Sequence, residues 1–74
     1  MKTANEWFIE LMAEISRLKN RNKIYCYHPM VELSEADAKE LERSLRDPEF
    51  GYTVEFRKCA QCLNKYDIVI GWTL

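Results

Sequence analysis

The residues of this chain best suited to chemistry are its three cysteines and its one histidine, arranged as Cys26-Tyr27-His28 and Cys59-Ala60-Gln61-Cys62. Together they make the inventory of a Cys3His zinc centre, in which thiolates and an imidazole fill a tetrahedron. Cys59 and Cys62 have the spacing of a zinc knuckle, and a metal staple suits a chain with so small a core. Against that, Cys26 and His28 lack the usual spacer of about two to four residues. No glycine follows Cys62, and Cys26 also suits a buried core position. Two readings therefore stand: a structural zinc on Cys26, His28, Cys59 and Cys62, or no cofactor, with Cys26 in the core and the other two cysteines in a turn.

Catalysis finds less support. A redox role for Cys59 and Cys62 lacks the helix N-terminus that lowers a thiol pKa. Cys26 and His28, as i,i+2 strand neighbours, point the same way without a third group to orient a base. The carboxylate pairs Glu40/Glu42 and Glu32/Glu35 have lysine and arginine nearby and read as solvated surface. Gly51 and Gly71 stand alone, so there is no glycine-rich phosphate loop. No catalytic residue is assigned, and a non-enzymatic protein is expected.

The elements that must position these residues are readable from pattern. Thr3-Ala4-Asn5-Glu6 is a capping box, and Trp7, Phe8, Leu11, Met12, Ile15 and Leu18 follow at helical spacing, with Glu6, Glu10 and Glu14 outside the stripe. This first helix ends near residue 20. Residues 23–28 are rich in strand formers, and Pro29 closes that strand. Ser34 caps a second helix carrying Ala38, Leu41 and Leu45, with Glu35/Lys39 and Glu42/Arg46 as i,i+4 pairs; Pro48 stops it. Residues 52–57 and 66–72 alternate as half-buried strands of an antiparallel hairpin with its tip at about residues 60–64.

The order α-β-α-β-β predicts a single α+β domain over residues 1–74, a three-stranded sheet with both helices packed on one face. A right-handed crossover joins the first strand to the second through helix 2. These two strands then run parallel, which places Cys26 and His28 near the hairpin tip. Strand parity leaves Tyr25, Tyr27, Thr53, Glu55, Arg57, Asp67, Val69 and Thr73 on an open face. Tyr25, Tyr27, Arg57 and Val69 are its candidate partner-binding residues, for a protein, a second copy of the chain, or single-stranded nucleic acid stacked on the rings. Glu55 and Asp67 there repel phosphates. Exposed Ile9 adds an apolar anchor.

At 74 residues there is room for one core. An apolar fraction of 47% excludes disorder, and a net charge of -1 argues against both a basic nucleic-acid-coating protein and an acidic DNA mimic. No apolar run approaches membrane-spanning length and no signal peptide opens the chain, so a cytoplasmic protein with reduced thiols is expected.

The sequence of elements, with KIYCYHP, LSEADAKELERSLRD, GYTVEFR and a closing KYDIVIGW, resembles small orphan accessory proteins encoded by tailed phages. The resemblance implies a host-takeover factor that binds a host protein in the cytoplasm and inhibits or redirects it. It supplies no functional motif, so no residue role comes with it, and the cysteines at the hairpin tip depart from the polar turn usual in that style.

Overall fold

Side-chain caps fix where both helices begin. In the computed structural model, which describes residues 2–74, α1 runs Ala4–Asn20 and α2 runs Glu35–Leu45. The Thr3 hydroxyl accepts from the Glu6 amide and the Glu6 carboxylate accepts from the Thr3 amide, closing the expected capping box. Ser34 accepts from the Asp37 amide at the start of α2. The end of α1 is a Schellman turn: Asn22 takes a φ of 61°, its amide donates to the Lys19 carbonyl, and the Lys23 amide donates to that of Leu18. Both expected i,i+4 pairs of α2 form, Glu35 with Lys39 at 3.8 Å and Glu42 with Arg46 at 3.0 Å.

Three strands, β1 (Tyr25–Glu32), β2 (Thr53–Lys58) and β3 (Lys65–Gly71), make one sheet in the order β1-β3-β2, with both pairings antiparallel. The fold is therefore α+β with the expected α-β-α-β-β order. Because β3 lies in the middle, the path from β1 through α2 to β2 steps across it.

Burial alternates along β3: Tyr66, Ile68 and Ile70 are buried, as is Trp72 beyond its end. Leu11 and Ile15 of α1, Leu41 and Leu45 of α2, and Leu33 join them in one cluster. α1 lies against β1 and α2 against β2. One end of the core is closed by rings in sequence, Phe8, Phe50, Tyr52 and Trp72, with neighbouring centroids 6.2, 5.2 and 6.3 Å apart. The Trp72 indole donates to the Lys23 carbonyl at 2.9 Å, so the ring is buried with its polar atom satisfied. Among the described residues no polar or charged side chain is buried.

The first strand is longer than the sequence reading allows. Pro29 does not close it; a bulge carries it on to Glu32. His28 stands opposite Ile68 and Val31 opposite Tyr66, so Pro29 and Met30 together face Asp67. Pro29 has no amide to satisfy, and the Met30 amide donates to the Asp67 carboxylate at 3.0 Å. Met30 takes a φ of 57°, a left-handed conformation that costs a residue other than glycine about 1–2 kcal/mol. In return the bulge resets parity, so that Val31 and Leu33 reach the core as Cys26 does before it.

Leu41→Ala, at a fully buried position, is expected to lower the unfolding free energy by about 2–5 kcal/mol. Ile9→Ala, at a residue 62% exposed, should change it by no more than about 0.5 kcal/mol. Urea denaturation followed by tryptophan fluorescence measures both.

Candidate functional site

The structure does not bring Cys26, His28, Cys59 and Cys62 together. Cys26 stands opposite Ile70 near the start of β1, whereas the Cys59 amide bonds to the Lys65 carbonyl at the other end of β3. Five ladder positions at about 3.3 Å each put some 16 Å between them, before the width of the intervening strand is added. A zinc ion binds sulfur at about 2.3 Å and cannot span that gap. The expectation failed on strand length: β1 does run toward the hairpin tip, but the ends that meet there are Glu32 and Lys65, not Cys26 and His28.

Cys26 and His28 do meet each other, and with them a third group from α1. The Glu14 carboxylate, the Cys26 thiol and a ring nitrogen of His28 lie within 4.8 Å of one another. His28 Nε2 is hydrogen-bonded to the Glu14 carboxylate, and Arg17 lies 3.5 Å from the other Glu14 oxygen. The Trp7 ring meets the imidazole edge-on, with centroids 5.9 Å apart. Cys26 is buried, while the side chains of Glu14 and His28 remain 25% and 26% exposed. Burial, then the charge and hydrogen bond of Glu14, pushes the Cys26 thiol from its ordinary 9.0 to about 12.

Sequence reasoning grouped Glu14 with the solvent-facing Glu6 and Glu10. The available signal was its place between Leu11 and Leu18, three and four residues away, which sets it on the flank of the apolar stripe rather than opposite it.

At the hairpin tip, Cys59 and Cys62 are both partly exposed. The neighbouring Cys62 thiol, then the amides of Gln61 and Cys62, lower the Cys59 pKa, and the same proximity raises that of Cys62. Amides of the turn thus do for Cys59 what a helix N-terminus does elsewhere.

The open face assembles as strand parity requires. Tyr27 is opposite Val69, Tyr25 opposite Gly71 and Arg57 opposite Asp67. Tyr25 and Tyr27 are 61% and 53% exposed. The cations that parity sets on this face are both engaged, Arg57 by Glu55 and Lys65 by Glu32 at 3.0 Å.

The register also reveals a free edge. The Trp72 amide donates to the Ile24 carbonyl, so by antiparallel alternation Ile24, Cys26 and His28 turn their peptide groups toward β3. Tyr25 and Tyr27 therefore turn theirs outward, on the side of β1 where no strand lies. A depression of about 370 Å³ runs beside this edge, lined by Glu14, Leu18, Lys23, Tyr25, Cys26 and Tyr27. On the opposite edge, β2, Arg46 donates to the outward Val54 carbonyl at 2.9 Å. No helix among the described residues is long and apolar enough to cross a membrane. No protein-family model matches the chain, and neither a curated protein nor a solved structure matches it.

The three thiols should separate by reactivity. With limiting iodoacetamide near neutral pH, peptide mapping is expected to find Cys59 alkylated first, Cys62 next and Cys26 only on unfolding. Because folding raises the Cys26 pKa, its contribution to stability is complete below pH 9.0 and is lost as pH climbs toward about 12. The unfolding free energy of the wild type minus that of Cys26→Ala should be flat below pH 9 and decline above it.

Proposed function

We propose that the protein is a non-enzymatic binding module that captures a partner protein at the β1 edge, pairing an extended segment of that partner with Tyr25 and Tyr27 as an added strand. The observation that carries this is the contrast between the two edges of one sheet. The outward amides and carbonyls of Tyr25 and Tyr27 have no partner among the described residues, while the equivalent Val54 carbonyl of β2 is taken by Arg46. Strand addition draws affinity from such main-chain groups and specificity from pockets for alternate side chains. Side chains of an added strand would alternate in the same way, one set toward Leu18 and Cys26 in the depression and the other against the exposed rings of Tyr25 and Tyr27. Ile24, also exposed, extends the apolar margin.

The charge pattern favours a protein over nucleic acid. Arg57 and Lys65 are each held by a carboxylate, and Asp67 stands beside them, so on the open face a phosphate backbone would have to displace acidic groups to reach either cation. On the resemblance to phage accessory proteins, the partner is a cytoplasmic host protein that the module inhibits or redirects.

Tyr25→Pro removes an outward amide at an edge position, where proline is tolerated, and Tyr27→Lys places a charge on the same edge. Affinity capture from source-cell extract is expected to recover a protein with the wild type and to lose it with either variant, each variant first shown to be folded by circular dichroism. Recovery unchanged by both substitutions would remove the edge from consideration. Anisotropy of labelled single-stranded DNA should stay flat down to low salt; binding that strengthens as salt falls would replace this reading with nucleic-acid recognition.

A further inference from the structure

We infer that Glu14, Cys26 and His28 form a binding site for a single zinc-class transition-metal ion at the seam between α1 and β1, with a fourth coordination position open beside the β1 edge. This goes beyond partner binding and does not depend on it.

Cys26 and His28 are i,i+2 on one strand and so project from the same face, and Glu14 comes down on them from the helix packed above. Their three donor atoms already lie within 4.8 Å of one another, so drawing them onto an ion at bond lengths of about 2.0–2.3 Å takes rotamer adjustment and no change of backbone. The donor set selects the ion. One thiolate, one imidazole and one carboxylate suit zinc and its neighbours, whereas calcium and magnesium call for oxygen throughout. Three protein ligands leave the fourth tetrahedral position for water or a partner group. The depression lined by Glu14 and Cys26 supplies the access.

Charge supports the same assignment. A thiolate and a carboxylate neutralise a divalent ion, which suits a site whose sulfur is buried and whose other two ligands are about a quarter exposed. Binding releases the Cys26 proton to solvent and leaves the imidazole neutral, its proton carried on the nitrogen away from the metal. Arg17 on Glu14 and the Trp7 ring on His28 are the outer groups that orient the two ligands. Arg17 also opposes the ion electrostatically, which sets a limit on affinity. Without an ion the Glu14 carboxylate is engaged by the His28 ring nitrogen, so the carboxylate does not depend on a metal for a partner.

The test is a cobalt(II) titration of the full chain carrying Cys59→Ser and Cys62→Ser, so that the hairpin thiols offer no ligands. One equivalent is expected to produce a near-ultraviolet sulfur-to-cobalt charge-transfer band and intense visible d–d bands, both displaced by zinc. Adding Cys26→Ser should abolish the charge-transfer band, and Glu14→Gln or His28→Ala should each weaken cobalt binding by at least about tenfold. A band present in the wild type and absent from the double-serine chain would assign the ion to Cys59 and Cys62 and overturn the proposal. So would the absence of a band from both. If Cys26→Ser does not fold, Glu14→Gln decides: cobalt affinity equal to that of the double-serine chain overturns the site.

Discussion

The peptide groups of β3 are committed on both sides, and the other elements take their places from that commitment. Its even-numbered residues exchange hydrogen bonds with β1 and its odd-numbered residues with β2, so one register governs both neighbours. The same parity sends Tyr66, Ile68 and Ile70 into the core and Asp67 and Val69 to the open face. A slip of one residue would expose the first set and bury an aspartate, so the apolar pattern of a single strand holds three strands in place. The helices complete the layer, α1 over β1 and α2 over β2, with Leu11, Ile15, Leu41 and Leu45 filling the space between.

Within that frame, Glu14 has a position unlike that of the other acidic residues of α1. Glu6 serves the cap and Glu10 pairs with Lys2, whereas Glu14 reaches across to β1 and ties helix to strand through His28. A carboxylate held a quarter exposed, between an arginine and a buried thiol, is partly desolvated, and its charge acts on Cys26 more strongly than it would in water. The depression that borders the free edge has Glu14 and Cys26 in its wall. The two proposals therefore concern adjoining surfaces of one seam, and a group entering the open coordination position would approach from the side where an added strand lies.

What could be read from sequence follows the range of the interactions concerned. The caps at Thr3 and Ser34 and the end of the first helix near residue 20 are decided within a few residues, and local pattern revealed them. Alternation placed Tyr25, Tyr27, Arg57 and Val69 on one face, because parity is also local. The bulge was not legible: Met30 is held by Asp67, distant in sequence, and nothing around Pro29 announces that partner. Missing it shortened β1, and the shortened strand wrongly set Cys26 and His28 beside Cys59 and Cys62. Glu14 was missed for a related reason. Helical spacing puts it beside the apolar stripe, but only packing against β1 turns its carboxylate inward.

The single hydrogen bond from Arg46 to Val54 has a consequence for assembly symmetry. A sheet with two open edges can add copies head to tail, β1 of one onto β2 of the next, and such a heterologous contact does not close, which is the geometry of a fibre. Arg46 on the Val54 carbonyl stands where that repeat would have to continue, so a strand added on β2 has to displace it. Self-association through strands is then favoured in the isologous arrangement, two copies meeting β1 to β1 about a two-fold axis, which leaves Arg46 in place on both copies. The guanidinium thus weighs toward a finite complex over an unlimited one, while the β1 edge stays open.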